Sequence, residues 1–376
     1  LVAALELLSK ACKPVVYGGG GLALGDAVAE FRTFVEAAQV PTVLTLRGIG
    51  ALPANHALNL GMLGMHGTRE ANLAVQEADL LVVVGARFDD RATGKLSEFA
   101  PNAKVIHLDV DAAEIGKLRH AHVGVRGELR TSLNQLATAM PECSAWRARC
   151  LERKRQYAVR YDAPGDDVYA PALLRRLSEL APSAVVACDV GQHQMWVAQH
   201  WRFNDPRKHL TSGALGAMGF GLPAAFGAQM ACRDAQVVCV SGDGSFLMNV
   251  QELATLGRYQ LPVKIVLLDN QRLGMVRQWQ EIFFEERYSE TDLSDNPDFV
   301  ALAEAFGIRS FHLDQAASME DALRQLLATP GPALLHVAID AAANVWPLVP
   351  PNRNNAQMML DPRPHASEVR HATLPT

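Results

Sequence analysis

Short apolar runs alternate with stretches of helical periodicity along most of the chain. Between Lys13 and about Arg130, PVVYGGGG, PTVLTL, DLLVVVGARFDD and AKVIHLDVD read as strands, while DAVAEFRTFVEAAQ and REANLAVQEA carry apolar residues at helical spacing. A second alternation starts near Tyr169 with APALLRRLSEL, SAVVACDVGQ and LPAAFGAQMA. Within it, Val237 to Val240 reads as a buried strand, Phe246 to Tyr259 as a helix with Leu247, Val250, Leu253 and Ala254 near one face, and VKIVLLDNQ as the next strand. Strand, helix, strand repeated in this way predicts α/β architecture: two doubly wound three-layer domains with mainly parallel sheets. The expected domains are residues 1–140 and 166–350, joined by a helix and linker at 141–165. The polar, Pro- and Asn-rich residues 351–376 are expected to form a mobile tail.

Composition narrows the function classes. A chain of 376 residues, 49% hydrophobic and 20% charged, is long enough for two globular domains. Its net charge of -5 gives no reason to expect nucleic acid or an anionic membrane as partner. No apolar run approaches the roughly 18 to 20 residues that a membrane span needs. The six cysteines show no CxxC spacing, which fits reduced, mostly buried thiols in a cytoplasmic protein. The opening LVAALELLSKACKP lacks a starting Met and reads as helix interior, so a segment ahead of it is expected.

The strand ends carry the candidate chemistry. Asp243 stands between Gly242 and Gly244 where one strand stops, and Asn270 ends the next, 27 residues on. Neighbouring parallel strands lie about 5 Å apart, so these two oxygens are expected to meet. One carboxylate and one amide oxygen suit Mg2+ when a ligand's phosphates supply other oxygens. Gly242 and Gly244 are expected to leave room for a phosphate beside a helix start. Taken alone, the tripeptide is also readable as a tight turn with an Asp N-cap. Gly191, Gln192 and His193 follow another strand at the edge where open α/β sheets bind ligands. Small residues around Met218, in SGALGAMGFGLPAA, fit either close helix packing or a backbone pressed against a ring system. In the first domain Gly18, Gly20 and Ala23 satisfy GxGxxA, a weak signal that a flexible turn also explains. GARFDDR, with Asp109 ending the following strand, is a better nucleotide candidate; Arg87 and Arg91 offer planar forks for phosphate or a flavin.

Together these residues resemble a family. GDGSF followed by LLDNQ looks like the thiamine diphosphate signature. GMLGMHG, GARFDDR, VGQHQMW, MGFGLPAA, GMVRQWQ, RYSET and NVWPLVPP are similar to the acetohydroxyacid (acetolactate) synthase large subunit, of the enterobacterial isozyme II type, from about Leu1 to Pro351. The resemblance implies three cofactors: thiamine diphosphate, Mg2+ and FAD. It implies that Asp243 and Asn270 hold Mg2+ with the Arg272 backbone carbonyl as third protein ligand. Gln192, His193, Gly244 and Ser245, with the helix starting near Gly274, would grip the diphosphate. Met218 would support the thiazolium ring and shape the cofactor, with Gly216, Gly242, Met275 and Val276 also in contact. Gly64, Met65, His66, Gly85, Ala86, Arg87, Asp89, Arg91, Asp109 and Val110 would contact FAD. Arg91 would also bind the carboxylate of a second 2-keto acid, and Trp279 would favour an ethyl group over a methyl.

The implied reaction decarboxylates pyruvate and condenses the two-carbon unit with a second pyruvate or 2-ketobutyrate, at the first common step of valine, leucine and isoleucine synthesis. Implied partners are a second copy or more of the subunit, as homodimer or homotetramer, and a small regulatory subunit. Two features depart from the family pattern. Ala214 and Ala217 stand where Gly and Thr are expected, and the N-terminal pyrimidine-binding domain, with its proton-relaying glutamate, is absent from this chain, which is therefore expected to be inactive alone. Another thiamine-dependent carboligase or decarboxylase, or a non-catalytic nucleotide-binding module, remains an open reading of the residues.

Overall fold

The computed structural model describes residues 1–162 and 165–362. They form two compact units: Leu1–Val159 with Phe203–Arg207 and Trp346–Asp361, and Arg160–Arg202 with Lys208–Val345. In the first, strands β1 (Pro14–Gly18), β2 (Thr42–Leu44), β3 (Asn59–Met62), β4 (Leu80–Val84), β5 (Lys104–Asp109) and β6 (Val123–Arg126) form one parallel sheet of order β3-β2-β1-β4-β5-β6. In the second, β7 (Val185–Cys188), β8 (His209–Thr211), β9 (Val237–Gly242), β10 (Lys264–Asp269), β11 (Arg309–Leu313) and β12 (Ala333–Ala338) form another, of order β11-β12-β10-β9-β7-β8. The α/β expectation holds. Central strands such as LLVVV (β4) and KIVLLD (β10) are buried along their whole length, because a parallel sheet is covered on both faces. Covering helices show the matching stripe: Val28, Phe31, Phe34, Val35 and Ala38 are the buried positions of the helix Val28–Ala38. No helix among the described residues is long and apolar enough to cross a membrane.

Three expectations change. The helix read over Phe246 to Tyr259 is broken into Asp243–Leu247, a 3-10 turn Val250–Glu252, and Leu253–Tyr259. The break falls at Asn249, whose amide donates to Gly219 O at 2.7 Å instead of facing solvent along a continuous helix. The first unit extends past residue 140, because the helix Ser144–Gln156 packs on it: Trp146 Nε1 donates to Pro14 O at 3.1 Å and Lys154 Nζ to His56 O at 3.0 Å. The tail is packed through Asp361. Met359 N donates to Leu348 O at 2.7 Å, and the Asn355 amide to Ala92 O at 3.0 Å. Polar composition misled there, since Asn side chains satisfy buried backbone as readily as they face water. Residues 363–376 of the expected tail lie outside the described residues.

Glu70, buried near the start of the helix Arg69–Glu77, makes this unit pH-sensitive. Burial pushes its carboxyl up to about 7 from an ordinary 4.5. Between those values the folded chain keeps a proton that the unfolded chain has lost, so stability falls as pH rises through that window. The full penalty above it is about 3 kcal/mol. Glu70→Gln is expected to raise stability to urea at pH 8 by about 2 kcal/mol and to leave it nearly unchanged at pH 4. Equal effects at both pH values would show that the carboxyl's charge is not the cause.

Candidate functional site

In the second unit the strand order reverses between β7 and β9, so their following loops flank a crevice at the C-terminal edge of the sheet. Pairing of Leu268 with Gly242 sets Asp243, just past β9, opposite Asp269, the last residue of β10, with Asn270 next in the chain. Asp243 is only 3% exposed, accepts from the Asn296 amide at 3.0 Å, and is pushed up to about 7 by burial and by the charge of Asp269. Asp269 resists the same burial because His336 Nε2 donates to it at 2.8 Å and the Gln271 N–H at 2.9 Å, which hold it below the usual carboxylate range. Asn270 Oδ1 accepts the Arg272 N–H at 3.2 Å, while its Nδ2 donates to Gln192 Oε1 at 3.1 Å. The amide oxygen is thus turned away from Gln192 and retains a lone pair.

These groups fit a hard divalent cation that arrives with its own oxygens. Two crowded carboxylates call for positive charge, and Asp243 and Asn270 offer oxygen donors. No group of three or more His, Cys, Asp or Glu side chains among the described residues could hold a metal by itself, so a ligand would have to supply most of the coordination. His193 adds a second sign. It is buried, pulled down to about 3 by burial and hence neutral, and its Nε2 has no hydrogen-bond partner. A phosphate oxygen would satisfy it.

Several expected residues play parts other than those expected. The space beside Gly242 is filled by the His193 ring rather than left open: a Cβ at 242 would lie 2.7 Å from Nδ1, and one at Gly191 2.8 Å from Cε1. Gln192 donates both amide hydrogens inside the protein, to Gln278 Oε1 at 3.1 Å and Ala343 O at 2.8 Å, so it orients Asn270 and has no free donor for a diphosphate in this arrangement. The Ser245 hydroxyl donates to Val190 O at 2.6 Å, tying the two loops together. Gly274 is glycine because a Cβ would meet Gln192 Oε1 at 2.0 Å. Met218 is 37% exposed, and its methyl lies 3.7 Å from where a Gly244 Cβ would be; Gly216 has φ +63° two residues earlier. Arg272 bonds Asp292 through its guanidinium. Met275, Val276 and Trp279, on the helix Gly274–Phe283, line a cavity of about 670 Å³ with Gln280, Phe284 and Arg287. Asp189, Asn249, Gln278 and Asn296 were not singled out from sequence. Asp189 alone carried a signal, an acidic residue at a strand end just as Asp243 is.

The first unit has its own reversal, between β1 and β4. The four-glycine loop is not a flexible turn: a Cβ at Gly19 would lie 2.3 Å from Gly85 O, and one at Gly21 2.7 Å from Gly85 Cα. Gly85 N in turn donates to Leu108 O at 2.9 Å, which brings the end of β5, with Asp109 and the exposed Val110, alongside. Met65 N donates to Arg91 O at 2.8 Å, so the loop of Gly64, Met65 and His66 lies on GARFDDR. Asp89 accepts the Arg91 N–H at 3.0 Å and the Arg87 guanidinium at 2.6 Å. Phe88, with φ +57°, is plugged edge-on among Tyr17, Phe99 and His107, and His107 Nε2 donates to Ala86 O at 2.8 Å. His66 Nδ1 donates to Pro347 O at 3.0 Å, and burial pulls its pKa down to about 4. All ten expected flavin residues therefore fall on the three segments that end or follow β3, β4 and β5, at the edge where such sheets bind dinucleotides, with the His66 side chain turned to its own unit's 346–361 segment.

Comparison with known proteins identifies both units. Residues 1–136 match the model of the thiamine pyrophosphate enzyme central domain, and residues 189–337 that of the C-terminal TPP binding domain. The chain is 56% identical over 357 residues to the acetolactate synthase isozyme 2 large subunit of Escherichia coli K12, covering 95% of this chain and 65% of that relative. It is 48% identical over 366 residues to the acetolactate synthase large subunit of Parasynechococcus marenigrum WH8102, covering 96% of this chain and 59% of the relative. Against the Escherichia coli isozyme 1 large subunit it is 44% identical over 360 residues, covering 95% and 64%. The chain thus spans less than two thirds of the length of these relatives. With both of its units matched, it belongs to the thiamine pyrophosphate enzymes, whose central and C-terminal domains it carries.

Proposed function

We propose that this chain is the central and C-terminal part of an acetolactate synthase large subunit, which binds thiamine diphosphate with Mg2+ at the crevice of the second unit and FAD at that of the first. The observation that carries the reading is the convergence of Asp243, Asn270 and the unpartnered His193 Nε2 at one strand edge, within a chain 56% identical to an acetolactate synthase. Thiamine diphosphate, when bound, supplies the electron sink that lets pyruvate lose CO2 and its two-carbon remainder add to a second 2-keto acid. Asp243 and Asn270 would hold Mg2+ against the diphosphate, with the Arg272 carbonyl as a further ligand. His193 would donate to a phosphate oxygen, and Gln192 would hold the Asn270 amide in its ligating orientation. Met218 would support the rings. Arg91 would bind the carboxylate of the second 2-keto acid, and Trp279 would select its alkyl group. Assembly as a homodimer or homotetramer, a small regulatory subunit and a cytoplasmic location belong to the same reading.

The test is binding. Thiamine diphosphate should quench the tryptophan fluorescence of the chain with Mg2+ present, and EDTA should reverse the quench; binding indifferent to Mg2+ would refute the metal-bridged site. In a full-length active context, Trp279→Leu should lower the preference for 2-ketobutyrate over pyruvate by about tenfold, the scale of one methylene in an apolar pocket. Product ratios in a mixed-substrate assay measure it, and an unchanged ratio would remove Trp279 from the substrate site.

A further inference from the structure

Asp189, the residue after β7, is fully buried, and its carboxylate accepts four hydrogen bonds. Oδ1 takes the N–H groups of Val190 and Gly219, each at 2.9 Å. Oδ2 takes the Gly221 N–H at 3.1 Å and the Ser241 hydroxyl at 3.2 Å. No basic side chain forms a salt bridge with it among the described residues, so these donors are its compensation. The helix Gly221–Ala231 has no side-chain cap from its own flank; Asp189 reaches it from the sheet instead. Gly221 makes that approach possible, since a Cβ there would lie 2.9 Å from Asp189 Cβ and 3.0 Å from Oδ2. Gly219, with φ +84°, is held a second time: Asn249, at the break in the expected helix, donates to its carbonyl at 2.7 Å. Both polar backbone groups of the residue directly after Met218 are therefore fixed, one by each flanking loop. The Met218 methyl faces Gly244 of the turn that carries Asp243.

We propose that Asp189 and Asn249 are positioning residues that clamp Gly219 and so hold the Met218 side chain over the Gly244 turn. The consequence for cofactor binding rests on the thiamine diphosphate reading above, whereas the placement of Met218 does not. Asp189→Asn keeps the shape but puts an NH2 group against at least one N–H donor, and Asn249→Ala removes the second clamp.

The first measurement needs no cofactor. In the full chain with 13C-methyl methionine, the Met218 resonance, assigned through Met218→Leu, should move and broaden in both variants while other methionine methyls keep their positions. A Met218 signal unmoved in either folded variant overturns the proposal. If Asp189→Asn does not fold, Asn249→Ala decides by the same reading. The second measurement is the dissociation constant of thiamine diphosphate with Mg2+. Each single variant should raise it about tenfold, the loss of one charge-assisted or buried hydrogen bond. In a Met218→Ala background the same changes should add less than about twofold, because the clamp acts through the side chain already removed. Full additivity would mark Asp189 and Asn249 as supports of the fold alone and would overturn the positioning role. If Met218 moves as expected but no form, the parent included, binds thiamine diphosphate, the cofactor reading fails and the clamp stands.

Discussion

Asp243→Asn is expected to weaken Mg2+-dependent thiamine diphosphate binding by about 100-fold or more, and at the same time to make the cofactor-free chain more stable. The two effects have one cause. Asp243 is the only ionisable side chain of the proposed pair of ligands, so losing its charge removes the main attraction for a dication; about 100-fold corresponds to about 2.7 kcal/mol. Without a cation the same charge is a liability, because it is buried beside Asp269 and pushed up to about 7. The folded chain holds that proton after the unfolded chain has released it, so the stability cost grows as pH rises towards 7 and is complete above it. At pH 8 the substitution should therefore stabilise the cofactor-free chain, on the order of 2 kcal/mol, as removing an uncompensated buried charge does. Fluorescence titration reads the first effect and urea unfolding in EDTA the second. Unchanged binding in the variant would dismiss Asp243 as a metal ligand, and a loss of stability at pH 8 would show that its carboxylate is compensated in some other way.

Gly64→Ala should be the most damaging small substitution in the first unit. Its backbone has φ +109°, which L side chains rarely adopt, and a Cβ would lie 2.2 Å from the Arg91 carbonyl oxygen and 2.7 Å from Ala92 Cα. Backbone strain of this kind costs about 1–3 kcal/mol, and the clash is with main chain that has no rotamer to give way. That carbonyl also accepts the Met65 N–H, so relief would separate the two loops that the flavin reading depends on. A loss of about 3 kcal/mol would lower the melting temperature of a unit this size by roughly 6–12 °C. Calorimetry checks the loss, and flavin absorbance after incubation with FAD checks the loop. Parent-like melting would mean that the loops can part at little cost.

Much of this architecture was legible because strands and helices here have strong periodicity and sharp stops. That Asp243 and the LLDN strand end leave the sheet at one edge followed from chain direction alone, since two consecutive parallel strands must end on the same side; the register sets Asp269 opposite Asp243, with Asn270 next in the chain. What stayed hidden depends on which side chain fills which gap. Gln192 reads as a donor for phosphate, yet its partners Gln278 and Ala343 are 86 and 151 residues away in sequence, so no local pattern announces them. Asn249 looks like a tolerable helix interior residue until Gly219 O is brought to it. The glycine-rich loop after β1 looked loose because its reason for being glycine, the backbone of Gly85, lies far along the chain.

The imidazole of His193 has a consequence for how this sequence can vary. It occupies the volume in which side chains at 191 and 242 would begin, so the first glycine of GDG is required by a residue about fifty positions upstream. The three positions form one heritable unit. A smaller residue at 193 would release 242 to accept alanine, whereas alanine at 242 beside an intact histidine would push the ring out of place.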